Sequence, residues 1–129
     1  MDGMATSKEN ESSDAPPQPP LRVLIVDNDA ALADAMEESL EREGYQITVA
    51  TSGPEGARRV EQEQYDIVFT DLVMNDVDGM EILARAKQSL PDAEVVLITG
   101  HASVPKAVEA MQQGAFNFLE KPITPQRLR

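Results

Sequence analysis

Leu21-Arg22-Val23-Leu24-Ile25-Val26 is an apolar run that stops abruptly at Asp27-Asn28-Asp29. The same event occurs three more times. Asp66-Ile67-Val68-Phe69-Thr70 runs into Asp71, Val95-Val96-Leu97-Ile98 ends in Thr99, and Phe116-Asn117-Phe118-Leu119-Glu120 ends in Lys121-Pro122. Runs this short and this continuously apolar have the length of strands covered on both faces. In an open parallel sheet, ligands sit outside the carboxyl ends of the strands. If these runs are neighbouring parallel strands, two acidic clusters, a hydroxyl and an ammonium converge on one rim. That set suits a divalent cation and a phosphoryl group held together.

The segments between the runs have helical spacing, so strands and helices alternate, which is the signature of βαβ units. The first strand is read at about Arg22 to Val26. A helix from Ala30 to about Glu43 repeats Leu32, Met36 and Leu40, and Gly44 marks its stop. Gln46 to Ala50 reads as a less buried edge strand. Ser52-Gly53-Pro54-Glu55 is a capping box that opens a second helix to about Gln64. A central strand over Asp66 to Thr70 follows, then a loop through Asp78-Gly79 and a helix to Leu90. Glu94 to Ile98 is the fourth strand. The next helix gathers Val104, Ala107, Val108 and Met111 on one face, and Gly114 closes it. Ala115 to Glu120 is the fifth strand. Thr124-Pro125 opens a last helix that Arg129 cuts short, which points to a fragment whose output domain lies further on.

Composition narrows the function classes. A chain of 129 residues with 41% apolar content accommodates one domain, here 21–129, plus a tail. Residues 1–20 carry paired prolines and serines, and read as a disordered leader. No apolar stretch approaches the roughly 20 residues that span a bilayer, and Met1 to Asn10 lacks the features of a secretory signal. With no cysteines, disulfides and thiolate metal sites are excluded, which fits a cytoplasmic protein. A net charge of −12 argues against this segment gripping nucleic acid.

The candidate residues follow from electrostatics. Two unit charges about 4 Å apart interact by about 4 kcal/mol at an effective dielectric near 20. Asp27, Asp29 and Asp71 gathered on one rim therefore call for a cation, and hard oxygen donors favour Mg²⁺. Thr99 and Lys121 add a hydroxyl donor and a positive charge.

In these motifs the chain resembles the receiver domain of bacterial two-component response regulators. The resemblance rests on Val26-Asp27-Asn28-Asp29, Phe69-Thr70-Asp71-Leu72-Val73-Met74 with Asp78-Gly79, Leu97-Ile98-Thr99-Gly100, and Phe118-Leu119-Glu120-Lys121-Pro122. It covers everything from Leu21 onward and looks most like transcriptional regulators. It implies a flavodoxin-like α/β fold: a doubly wound, five-stranded parallel sheet in order 2-1-3-4-5 with helices on both faces. It also implies that Asp71 accepts a phosphoryl group from a sensor histidine kinase. By the same resemblance, Mg²⁺ is held by Asp27, Asn28, Asp71 and the backbone carbonyl of Val73. Thr99 bonds a phosphoryl oxygen, Lys121 pairs with Asp71, and Phe118 is an aromatic switch partner of Thr99. The peptide bond before Pro122 is commonly cis in such domains. A homodimer through the fourth helix, fifth strand and fifth helix is a further implication.

The chain departs from that pattern at several points. Asn28 stands where a second acid is usual, which predicts weaker metal binding, with Asp29 available to contribute. Asn75 replaces a frequent Pro, Asn117 replaces a frequent Asp, and His101 is read as a solvent-facing loop residue. Two other functions stay open on these residues. One is a pseudo-receiver that binds partners without phosphorylation. The other is a haloacid-dehalogenase-like phosphatase using Asp27 as its nucleophile, although Ala31 and the lack of a later acidic pair fit it poorly.

Overall fold

In a computed structural model, residues 19–100 and 103–121 are described. The order is β1 (Arg22–Val26), α1 (Ala30–Arg42), β2 (Gln46–Ala50), α2 (Gly53–Gln62), β3 (Ile67–Asp71), α3 (Gly79–Ser89), β4 (Glu94–Thr99), α4 (Val104–Gln112) and β5 (Asn117–Glu120). The five strands are all parallel and lie in the order β2-β1-β3-β4-β5. The expected doubly wound α/β architecture is therefore present. The leader's first 18 residues, His101, Pro122 and the last helix expected from Thr124 lie outside the described residues.

Strand side chains alternate between two apolar layers, because successive residues point to opposite faces. Leu24, Val26, Val68, Val95 and Leu97 join α2, α3 and Ala110 of α4 on one face. Val23, Ile25, Phe69, Val96 and Ile98 meet Ala33, Met36 and Leu40 of α1 on the other. Both layers are buried, so the central strands read as unbroken apolar runs rather than as an alternation.

Local chemistry sets the element ends. Asp29 caps α1 by accepting from Leu32 N. Gly44 takes the left-handed conformation (φ +94°) that lets its N–H reach Glu41 O while Tyr45 N reaches Leu40 O. Ser52 accepts from Glu55 N, and the Glu55 carboxylate answers at Thr51 N rather than at Ser52. Asp78 caps α3 through Glu81 N.

One expectation needs correction. The fifth strand begins at Asn117, not Ala115, because Ala115 N is spent closing α4 onto Ala110 O. The apolar face read for α4 forms, and it turns outward. Val104, Val108 and Met111 are exposed, and Ala110 is the residue that packs inward against the core. The Asn117 side chain is exposed as expected, and its Oδ1 accepts from Phe118 N.

Candidate functional site

Sheet order puts the site together. The strands β1, β3, β4 and β5 are consecutive neighbours. Asp27 follows β1, Asp71 ends β3, Thr99 ends β4 and Lys121 follows β5. Parallel strands in near register share one carboxyl rim, so residues 94 positions apart in sequence become neighbours there.

The Lys121 ammonium bridges the two carboxylates. Its Nζ lies 3.1 Å from Asp71 Oδ2 and 3.4 Å from Asp27 Oδ2. A backbone bond from Lys121 N to Thr99 O, 2.8 Å, ties the base of that side chain to the end of β4. Asp27 and Asp71 are 3% and 7% exposed, and Thr99 is fully buried. Asp27 Oδ1 accepts from Asp29 N at 2.8 Å, and Asp71 Oδ1 accepts from Val73 N at 3.3 Å. A cleft of about 210 Å³ opens beside Asp71, lined also by Val73, Thr99, Gly100 and Lys121.

Burial raises the Asp27 pKa above the usual carboxylate range. The Asp29 amide opposes that shift, Asp71 adds to it, and Lys121 counters it without reversing it. Burial alone would lower the Lys121 pKa. The hydrogen bond to Asp71 and the charges of Asp27 and Asp71 together outweigh it, so the ammonium is held more firmly than usual.

A carboxylate whose folded pKa is raised contributes stability below its ordinary pKa and loses it as pH rises through the raised value. Asp27→Asn is therefore expected to resist urea better than the parent at neutral pH without added metal. The advantage should vanish on acidification below the carboxylate range.

The structure brings Asp27, Asp71, Val73, Thr99 and Lys121 together. Asn28, next to Asp27, is exposed and lines a second cleft of about 340 Å³ with Thr51 to Pro54 and Met74 to Asp76. The side chain of Asp29 is committed to the α1 cap, which argues against the contribution expected of it. Phe118 is half-buried against the core layer of α2 and α3. The donors fit a hard cation: two buried carboxylates supply oxygen beside a cleft that Val73 also lines. A Mg²⁺ ion commonly takes one or two carboxylates and keeps several waters. Among the described residues, no three acids, histidines or cysteines cluster as a preformed metal cage.

Sequence reasoning missed three features of the rim. Asp76 adopts a left-handed backbone (φ 66°) in the loop after β3. A side chain on Gly79 would put its Cβ 2.3 Å from Asp71 O, so α3 must start with glycine to sit that close. The Thr70 hydroxyl donates to Asp71 O at 2.9 Å. A lone hydroxyl inside the apolar run of β3 was the available signal for the last of these.

A flavodoxin-like sheet with two carboxylates and one ammonium at its carboxyl rim defines a class of α/β domains with a strand-end polar site. A sequence profile described as "Response regulator receiver domain" matches residues 23–129. The chain belongs to that family, the receiver domains of two-component response regulators, and its relatives are transcriptional regulatory proteins. It is 41% identical over 104 residues to the transcriptional regulatory protein GlrR of Escherichia coli K12, covering 81% of this chain and 23% of that protein. The chain thus spans about a quarter of the length of the curated relatives it matches. Among solved structures, a response regulator of Burkholderia pseudomallei with a phosphorylated aspartic acid, calcium ion and citrate superposes with a TM-score of 0.79. It is 29% identical, over 84% of this chain and 64% of that one. The beryllofluoride-activated NtrC4 receiver domain dimer gives a TM-score of 0.76 at 36% identity, over 82% of this chain and 88% of that one. Among the described residues no helix is long and apolar enough to cross a membrane.

Proposed function

We propose that this domain is a phosphorylation switch in which Asp71 takes a phosphoryl group from the phosphohistidine of a sensor kinase and so controls an attached transcriptional output domain. The observation that carries this reading is the placement of the Lys121 ammonium against Asp71 Oδ2 and Asp27 Oδ2 on an open cleft. An Asp71 oxygen forms the new O–P bond as the P–N bond to the imidazole breaks. The electron pair leaves with the nitrogen, which is then protonated. Little of this is covalent work by the protein; positioning and charge neutralisation dominate.

Asp71, Asp27, the Val73 carbonyl and, from its neighbouring cleft, Asn28 are the residues that would hold Mg²⁺. When bound, that ion supplies positive charge to the transferring oxygens. Lys121 supplies the same kind of charge from the protein, and Thr99 can offer its hydroxyl to a phosphoryl oxygen. The product adds about −1.5 to −2 charges at the rim, if it behaves like other phosphorylated side chains. Drawing Thr99 toward that charge frees space that Phe118, on the adjoining strand, can turn to fill. The outcome is a shifted population at the α4 and β5 face. Val104, Val108, Met111 and Phe116 expose apolar surface there, which suits pairing with a second copy of this chain. The domain acts in the cytoplasm, as a signalling module rather than a turnover enzyme.

The test is an NMR titration with beryllofluoride and Mg²⁺. Shifts at Asp71, Thr99 and Lys121 support the switch, whereas none at all would leave the pseudo-receiver reading. Asn28→Asp is expected to tighten Mg²⁺ binding roughly tenfold. One more unit charge near a divalent ion in largely aqueous surroundings is worth about 1–2 kcal/mol. Isothermal titration of the two proteins checks it, and equal affinities would remove Asn28 from the metal's surroundings.

A further inference from the structure

We infer that Thr70 is a positioning residue for the phosphoacceptor site, and that its hydroxyl sets the course of the main chain from Asp71 to Val73. The inference rests on the reading of Asp71 and Val73 given above and adds a residue to it.

Thr70 is fully buried on β3, in register with Val26 of β1 and Leu97 of β4, both apolar and fully buried. A hydroxyl in such surroundings is unfavourable unless it is hydrogen-bonded. Valine has the same shape and would fit the strand better. The Thr70 hydroxyl instead donates to the backbone carbonyl of the very next residue, Asp71, at 2.9 Å.

That carbonyl belongs to a stretch of main chain held at each peptide group. Leu72 N donates to Ile98 O at 3.0 Å, and Gly79 N donates to Leu72 O at 2.8 Å. Val73 N donates to the Asp71 carboxylate. On the other side Gly79 lies against Asp71 O with no room for a Cβ. Thr70 supplies the one side-chain hydroxyl among these ties. By fixing the Asp71–Leu72 peptide plane, it fixes where the Asp71 carboxylate and the Val73 carbonyl stand relative to each other. Asp71 bears the first of these groups, Val73 follows one residue beyond that peptide, and on the reading above both would face one ion. A small misplacement of such groups is felt strongly in transfer chemistry.

The experiment compares Thr70→Val, which keeps the shape and loses the hydroxyl, with Thr70→Ser, which keeps the hydroxyl and loses a methyl. Without metal, amide hydrogen exchange at Leu72 and Val73 is expected to quicken in Thr70→Val and to stay near the parent rate in Thr70→Ser. Mg²⁺ affinity and the rate of phosphorylation by acetyl phosphate should each fall roughly three- to tenfold in Thr70→Val, the factor that a net hydrogen bond is worth. Thr70→Ser should retain both. If Thr70→Val does not fold, Thr70→Ser against Thr70→Ala differs by the hydroxyl alone and gives the same comparison. A Thr70→Val protein matching the parent in exchange and affinity, or a Thr70→Ser protein losing more than Thr70→Val, overturns the inference. A parent chain that binds no Mg²⁺ and accepts no phosphoryl group would instead defeat the function proposed above, and the metal-free exchange measurement would still judge Thr70.

Discussion

Asp71→Asn is expected to abolish phosphoryl uptake from acetyl phosphate and Mg²⁺, as read from the intact mass of the protein. The substitution keeps the size of the side chain, and its amide oxygen can still accept from Val73 N, as Asp71 Oδ1 does at 3.3 Å. It removes the anionic oxygen proposed to attack phosphorus. It also turns an NH₂ group or a weaker neutral acceptor toward Lys121 Nζ, which now sits 3.1 Å from a carboxylate oxygen. Because the loss is of the proposed nucleophile itself, no residual rate is expected. Uptake by the variant would remove Asp71 from its role. Peptide mapping that places the group on Asp27 would favour the phosphatase-like alternative.

Lys121→Met should slow phosphorylation of Asp71 by about 10²–10³-fold, the usual loss when one preorganised charge donor is taken from developing negative charge. Methionine keeps most of the length and the apolar stem but no charge. The same variant is expected to bind Mg²⁺ more tightly than the parent. The ammonium, 3.4 Å and 3.1 Å from the two carboxylates, repels a second cation drawn to those oxygens. A weaker rate with a stronger affinity is a pairing that simple misfolding would not produce. Stopped-flow or mass-resolved kinetics with acetyl phosphate, set beside Mg²⁺ titration, measures both. A rate within threefold of the parent's would mean that the charge plays no part in transfer. The raised Lys121 pKa also fixes a sign. The ammonium's contribution is full below the ordinary lysine value and fades only as pH climbs through the raised one. The rate should therefore show no titration of this group near neutrality.

How much could be read from the chain varied by element. The strands at Arg22, Asp66 and Glu94 were legible because burial on both faces demands continuous apolar residues, and those runs stand out against a charged background. The helix start at Ser52 was legible because orphan N–H groups need an acceptor at a definite offset. The outward turn of the apolar face on α4 was not legible. Helical spacing shows that Val104, Val108 and Met111 share a side, yet says nothing of which way that side looks. The role of Asp29 was likewise open in sequence, since one carboxylate can cap a helix or approach a metal, and its position relative to Leu32 N decided for the cap.

Composition, periodicity and punctuation were enough to dictate alternating strands and helices, and to mark Asp27, Asp71, Thr99 and Lys121 as strand-end groups. Each of those properties is local, set within a few residues by sterics, solvation and hydrogen bonding. Packing in three dimensions did the rest. It laid β1, β3, β4 and β5 side by side, set one ammonium between two buried carboxylates, and brought the Thr70 hydroxyl onto Asp71 O. Such distances are sums over the entire folded path, and angstrom-scale placement of charge is what separates a working phosphoryl site from a row of capped strands.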